Sequence, residues 1–100
     1  METRFKLYRG AELLGLIQLV PELCDFPWYG GLLEPEPAFA PYAPLFQQEL
    51  QLLADERMDE WGQVLGEIEG PGLSLVPLKS GVPISDFLIH INGMEVTWRT

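Results

Sequence analysis

Few residues of this 100-residue chain carry the chemistry that an enzyme needs. The closest set is Cys24, the adjacent Asp25 and the single histidine, His90. A thiol, an imidazole and a carboxylate together activate a cysteine nucleophile, but only when the fold brings them into contact. Cys24 falls in a loop and His90 in a terminal strand. We expect Cys24 to be a small, partly buried side chain and His90 to hydrogen-bond a carboxylate on a neighbouring strand, such as that of Glu95.

Metal and cofactor sites lack their usual residue patterns. Zinc takes three or four His, Cys or carboxylate ligands, and the chain has one histidine and one cysteine. The phosphate-binding motifs GxxxxGKS/T and GxGxxG and the hydrolase motifs GxSxG and HExxH are absent. One acidic cluster lies near the start of an expected helix, without the spacing or central glycine of a calcium loop. It consists of Asp55, Glu56, Asp59 and Glu60. We expect no cofactor, no metal and no catalytic residue, and a solvated acidic helix start.

The residues best suited to binding are aromatic and lie in one loop. Phe26, Trp28 and Tyr29 belong to the sequence FPWYGG, in which a proline stiffens the backbone and glycines permit close approach. Rigid aromatic side chains on loops commonly anchor binding partners. In so small a domain, we also expect Phe26 and Trp28 to fold back and cap the sheet, which would leave Tyr29 the most exposed of the three. The candidate binding residues are Phe26, Trp28, Tyr29, Asp55, Glu56, Asp59 and Glu60.

The net charge of −9 narrows the choice of partners. Residues 11–40 contain five acidic and no basic residues, and residues 41–70 contain seven acidic and one basic. Nucleic acids and anionic membranes are bound mainly through Lys and Arg, so neither is an expected partner. Such a charge commonly serves only to keep a small domain soluble. Its more specific interpretation is an acidic surface that docks on a basic protein.

The length and composition predict one globular domain spanning residues 1–100. No apolar run approaches the ~20 residues that cross a bilayer, and the start METRFKLYRG lacks the apolar stretch of a signal peptide. The single cysteine excludes an internal disulfide. We therefore expect a cytoplasmic protein.

The periodicity of the chain predicts strands at both ends and helices between them. Residues 4–9 alternate as a half-buried strand, residues 13–20 form a second, and Leu32-Leu33 a possible short third. Prolines between residues 34 and 44 predict a stiff crossover. Residues 73–78 form another strand, in which Pro77 indicates a bulge or a sheet edge. The first helix carries Tyr42, Phe46, Leu50 and Leu53 on its apolar face, and the second carries Met58, Trp61, Val64, Leu65 and Ile68.

The last strands are predicted to form a hairpin around Asn92-Gly93, the strongest short turn signal. With these two residues as the loop, one face of the hairpin pairs Ile91 with Met94, Ile89 with Val96 and Phe87 with Trp98. The other face pairs His90 with Glu95, Leu88 with Thr97 and Asp86 with Arg99. The resulting fold class is α+β, an antiparallel sheet of about five strands with two helices packed on one face, in the order β-β-(β)-α-α-β-β-β.

Several of these features together resemble a group of small acidic bacterial proteins of unknown function. They are the opening hairpin, the stretch DFPW at 25–28, Phe39 and Phe46 among prolines, and the strand FLIHI at 87–91 followed by Asn-Gly and Trp98-Arg99. The resemblance implies a bacterial cytosolic origin and a compact α+β domain. It implies no activity and no site residues.

The function that these observations favour is a non-enzymatic protein-interaction module. One version is self-association, with Glu95, Thr97 and Arg99 on an open sheet edge. Another is an acidic inhibitor or immunity-type protein that covers a basic site on its partner. An alternative from a different class is a small enzyme or ligand binder that uses His90 or Cys24 in a pocket beneath the aromatic loop.

Overall fold

The computed structural model describes residues 2–100 and confirms the α+β class and the expected order of elements. The third strand is seven residues long rather than two, so the sheet has six strands instead of about five. Single-turn 3₁₀ helices lie at Pro21–Leu23 and Pro37–Phe39. The strands are β1 (Arg4–Arg9), β2 (Glu12–Leu19), β3 (Tyr29–Pro35), β4 (Leu73–Pro77), β5 (Leu88–Asn92) and β6 (Glu95–Arg99), and the helices are α1 (Ala43–Ala54) and α2 (Met58–Glu69).

The sheet is antiparallel throughout, in the order β4-β1-β2-β3-β6-β5, and it curls around its core. Phe5 of β1 and Trp98 of β6 lie three strands apart, which corresponds to about 14 Å in a flat sheet. Their rings nevertheless meet edge to face with centroids 5.3 Å apart. The concave side of the curl is therefore filled by side chains from distant strands.

Both helices complete this same core. Phe46 and Leu52 of α1 and Val64 and Ile68 of α2 belong to one buried apolar cluster with the side chains of the sheet. Arg9, at the end of β1, fastens α2 in place because its guanidinium donates hydrogen bonds to two carbonyl groups in the last turn of that helix. A cation there also interacts favourably with the helix dipole.

Both edge strands contact other parts of the chain. As Pro77 indicates, β4 is an edge strand, and Leu75 at its centre exchanges two backbone hydrogen bonds with Ile84. On the opposite edge β5 packs against α1, and Ile91 is buried. The expectation that β6 leaves an open edge is wrong, because β6 pairs with β3 on one side and β5 on the other.

The closing hairpin forms, but its register differs from the expected one. Asn92 pairs with Glu95, so the loop consists of Gly93 and Met94. Only Gly93 has a positive φ, +63°, as in a type II′ turn with glycine at the first loop position. His90 consequently pairs with Thr97 and not with Glu95. The same shift pairs Ile91 with Val96, Ile89 with Trp98 and Leu88 with Arg99.

No helix among residues 2–100 combines the length and the apolar character needed to cross a membrane.

Candidate functional site

Three side chains from three elements form a buried polar cluster, which consists of Glu49, Trp61 and His90. Glu49 of α1 is 1% exposed. One carboxylate oxygen accepts a 2.7 Å hydrogen bond from Nε1–H of Trp61 in α2, and the other lies 2.7 Å from Nδ1 of His90 in β5. An ionised carboxylate only accepts hydrogen bonds, so with Glu49 in that form the donor of this hydrogen bond is Nδ1–H of His90.

The hydrogen bonds of the polar cluster explain how a carboxylate occupies this position. A buried carboxylate costs free energy unless donors replace its hydration. Both oxygens of Glu49 have such donors, and no buried side-chain nitrogen or oxygen among residues 2–100 lacks a partner. The cluster thereby connects α1 with α2 and with the edge strand β5.

Glu49 is the residue that sequence reasoning missed. The expected apolar face of α1 includes Leu50 and Leu53 and leaves Glu49 on the polar face. The buried face instead consists of Phe46, Glu49 and Leu52, three positions that recur every third residue. The spacing between Phe46 and Leu52 was a usable signal. No local pattern in the sequence indicates that Glu49, between these two positions, has hydrogen-bond partners on α2 and β5.

His90 has the geometry of an oriented imidazole. Its partner is a carboxylate, as expected, but that of Glu49 rather than Glu95. Nε2 has no hydrogen-bond partner in the described part of the chain, and the side chain is 22% exposed. A carboxylate that holds Nδ1 is also the means by which enzymes orient a general base.

The structure does not join the Cys24 thiol to this imidazole. The hydrogen bonds of the Cys24 thiol are made to backbone atoms of two residues nearby in sequence, Val20 and Gly30. No hydrogen bond joins Cys24 to His90 among residues 2–100. Cys24 is partly buried, as expected, and its sulfur also accepts a hydrogen bond from Gly30 N–H. The role of this thiol in the structure is to hold the base of the aromatic loop.

The aromatic loop is a tight, regular turn. Asp25 and Trp28 exchange two backbone hydrogen bonds, of 3.0 and 2.7 Å. Phe26 and Pro27 form the two-residue tip, and the peptide bond between them is cis. We call residues 25–29 the aromatic turn.

The three aromatic side chains of this turn have different surroundings. Trp28 packs back onto the sheet, as expected, with its ring 5.4 Å from that of His90. The expectation that Phe26 also folds back is wrong, because the first tip residue points away from the protein and is 97% exposed. Tyr29 is 42% exposed and stacks on Trp98 at 5.8 Å, so it is not the most exposed of the three.

The base of the aromatic turn leaves no room for a side chain at its two glycines. A methyl group at Gly30 would lie 2.2 Å from the carbonyl oxygen of Leu23, and one at Gly31 would lie 2.3 Å from that of Gln18. Glycine is required at both positions because neighbouring backbone occupies the space of a side chain. The exposed Phe26 is therefore presented by a closely packed support.

The acidic candidates lie in and around the connection between the helices, residues 55–60, which we call the acidic junction. Asp59 and Glu60 occupy the first turn of α2, as expected, where they face the positive end of the helix dipole. Asp55 instead ends α1, and Glu56 follows it with φ of +57°. All four side chains are exposed. No group of three or more His, Cys, Asp or Glu side chains within residues 2–100 is arranged to hold a metal ion.

The acidic junction and the aromatic turn lie toward the same end of the sheet. Near its start, α1 lines a cavity with the β5–β6 loop, and further along, Glu49 contacts His90 in the middle of β5. The helix therefore runs roughly antiparallel to β5, and its last turn lies toward the start of that strand. The aromatic turn reaches the same end, because Trp28 packs on His90 and leads into β3 opposite the end of β6.

A shallow cavity of about 220 Å³ lies beneath the aromatic turn. Leu19, Pro21 and Cys24 line it together with the side chains of the turn, whereas His90 does not. The expected pocket beneath the aromatic turn is thus present, and it is lined by the thiol of Cys24 but not by the imidazole of His90.

Comparisons with protein-family models, with characterised proteins and with solved structures found no match to this chain.

Proposed function

We propose that the protein is a non-enzymatic interaction module that binds a basic protein through the aromatic turn. The observation that carries this proposal is the exposure of Phe26, 97%, at the tip of a turn whose base is closely packed. Full burial of a phenylalanine side chain stabilises by roughly 1.5–3 kcal/mol. The isolated chain does not gain this free energy, because Phe26 stays exposed to water. A complex that buries Phe26 gains it.

The support of the turn strengthens this argument. Binding is weakened by the entropy lost when flexible groups become ordered, and a preformed anchor avoids much of that loss. The two hydrogen bonds between Asp25 and Trp28 already hold the tip, and the ring of Trp28 already packs on His90. Phe26 is thus a preorganised anchor that fits an apolar pocket on a partner.

The charge near the turn favours a basic partner. Asp25 belongs to the turn itself, Glu22 precedes it, and both are exposed. The acidic junction lies toward the same end of the molecule. Complementary charge accelerates association and rejects partners of the same sign. This favours a protein with an apolar pocket surrounded by Lys and Arg over nucleic acid or an anionic membrane.

Quantitative capture from a lysate of the native host tests the role of Phe26. The wild type, Phe26→Ala and the control Val82→Ala are immobilised, and bound proteins are compared by mass spectrometry. Val82 is also an exposed apolar residue, 65% exposed, but lies outside the turn. We expect one partner to be retained by the wild type and by Val82→Ala and to bind Phe26→Ala roughly 30-fold more weakly. Equal binding to all three forms would contradict the proposal.

Two further measurements define the partner. The affinity for the captured protein should fall as salt rises, because surface charges are screened. The charge-neutralised variant Asp55→Asn/Asp59→Asn should bind more weakly at low salt and show less salt dependence. Light scattering after gel filtration at high micromolar concentration tests the alternative occupant, a second copy of the chain. A dimer that Phe26→Ala dissociates would replace the basic partner with self-association.

A further inference from the structure

A second, larger cavity lies at the opposite end of β5 from the aromatic turn. Its volume is about 510 Å³, within the range of roughly 300–1,000 Å³ typical of small-molecule sites. Three parts of the chain form it, namely the proline-rich segment 35–40, the first turns of α1 and the β5–β6 loop. The side chains that make it apolar are Phe39, Ala40, Ala43, Ile91 and Met94.

The walls of this cavity are held by the rest of the fold. Phe39 is buried and packs on Phe46 with ring centroids 5.8 Å apart. Ile91 is buried in the core cluster. Prolines at 35 and 37 restrict the segment between them, and a backbone hydrogen bond from Glu36 to Leu14 joins it to β2. The cavity is therefore a preformed feature that a ligand fills without rearranging the core.

The polar side chains that line the cavity define the charge of its ligand. Glu36 is the one ionisable residue among those lining it, and Gln47 supplies an amide. Within residues 2–100, no Lys or Arg lines the cavity. The head group of an anionic amphiphile would be repelled by the carboxylate of Glu36. An ammonium group could instead donate a hydrogen bond to that carboxylate.

We propose that this cavity binds a small amphiphile, an apolar chain or ring that carries an amine. The apolar part occupies the space between Phe39, Ala43 and Ile91, and the ammonium group meets the carboxylate of Glu36. Met94 lies at the site and is 54% exposed, so a ligand would cover its side chain. This site is separate from the aromatic turn, and its failure would leave the proposed protein interaction unaffected.

Methyl NMR titration with two matched probes tests the site. Octylamine and octanoate each contain eight carbons, and their head groups carry opposite charges. We expect octylamine to shift the methyl signals of Ala40, Ala43 and Met94 in a saturable manner, and octanoate to bind at least about tenfold more weakly. Equal or tighter binding of octanoate would overturn the proposal, as would octylamine shifts that do not saturate or that centre on Leu19, beneath the aromatic turn.

Exposed substitutions sharpen the test without disturbing the core. Glu36→Gln should remove the preference for octylamine, and Met94→Lys should weaken octylamine binding because it adds like charge. Val82→Lys adds the same charge outside the cavity and should change nothing. A third probe, the acetylated dipeptide Leu-Lys with an amidated end, distinguishes a free amine from a protein segment. Saturable binding of the dipeptide without binding of octylamine would overturn the small-molecule assignment.

Discussion

The polar cluster and the aromatic turn touch each other at His90 and Trp28, yet their side chains are in opposite situations. In the polar cluster, an ionisable group is buried and both carboxylate oxygens have donors. In the aromatic turn, an apolar group is exposed and has no protein surface to pack on. Each is an exception to the usual distribution of polar and apolar residues.

The two exceptions differ in what they require from outside the molecule. Glu49 obtains its hydrogen bonds from Trp61 and His90, so its burial is accounted for within the fold. Phe26 is 97% exposed in the described part of the chain, and the proposed partner would supply the contacts that the fold does not. The buried carboxyl group of Glu49, whose two oxygens have hydrogen-bond partners, therefore indicates a structural role. The exposed and preorganised Phe26 indicates a binding role. Substitutions in the two regions should separate stability from binding.

The largest effect is expected at the centre of the polar cluster. Glu49→Leu removes the acceptor for the N–H groups of Trp61 and His90, so we expect a loss of about 3 kcal/mol in the free energy of unfolding. Glu49→Gln retains one acceptor oxygen and should lose less. Gln48→Leu, at the exposed neighbouring position, should change stability by less than about 0.5 kcal/mol. Urea denaturation measures all three.

A contrary result would change the role of the cluster. If Glu49→Leu left stability unchanged or raised it, the carboxylate would be maintained at a cost, as residues of functional sites often are. The oriented imidazole of His90 would then become the leading candidate for chemistry.

The second effect concerns the support of the aromatic turn. Gly30→Ala places a methyl group against the carbonyl of Leu23, and relieving that contact should cost about 1–3 kcal/mol. Gly62→Ala is the matched control, because nothing lies within 4 Å of the added methyl group in α2. It should stabilise the protein by up to about 1 kcal/mol through helix propensity. The midpoint temperature of thermal unfolding should therefore fall for Gly30→Ala and rise for Gly62→Ala. If both variants raised the midpoint, the backbone around Gly30 would have room for a side chain and the support of the turn would not be closely packed.

The third effect tests which residues form the closing loop. Gly93→Ala forces an alanine into a positive φ and should cost about 1–2 kcal/mol. Asn92→Ala should cost less than about 0.5 kcal/mol, because Asn92 lies within β5 and is exposed. Chemical denaturation of both variants decides between the observed loop and an Asn-Gly loop. In an Asn-Gly loop of type I′, both substitutions would be costly.

The fold was predictable where the signal was local and repeated. Alternation located β1 and β2, proline and glycine located the crossover and the end of α2, and these together predicted the α+β class. Pro77 indicated a bulge or a sheet edge because proline has no N–H to donate to a neighbouring strand, and β4 is an edge strand. The Asn-Gly signal located the hairpin but not its register, since a type II′ turn at Gly93-Met94 uses the same glycine.

The candidate site was less predictable because its determining contacts are not local. The turn residues Phe26, Trp28 and Tyr29 were identifiable as a group, but their individual exposures depend on which side of a tight turn each one occupies. Glu49 has donors 12 and 41 residues away along the chain. No periodicity in a single sequence carries that information.

The smallest effect on stability is expected at the residue on which the proposed function depends. Phe26 is 97% exposed, so Phe26→Ala should change the free energy of unfolding by less than about 0.5 kcal/mol. Trp28→Ala, two residues away, removes a ring that packs on His90 and should cost about 2 kcal/mol, below the value for a fully buried tryptophan. Urea denaturation of both variants, combined with affinity for the captured partner, distinguishes their roles.

If Phe26 is a binding anchor, its substitution weakens the complex and leaves folding intact, because the residue contacts the partner and not the core. A Phe26→Ala variant that unfolded as readily as Trp28→Ala would instead mean that the phenylalanine packs against the protein in solution, and the contrast between the two regions would be lost.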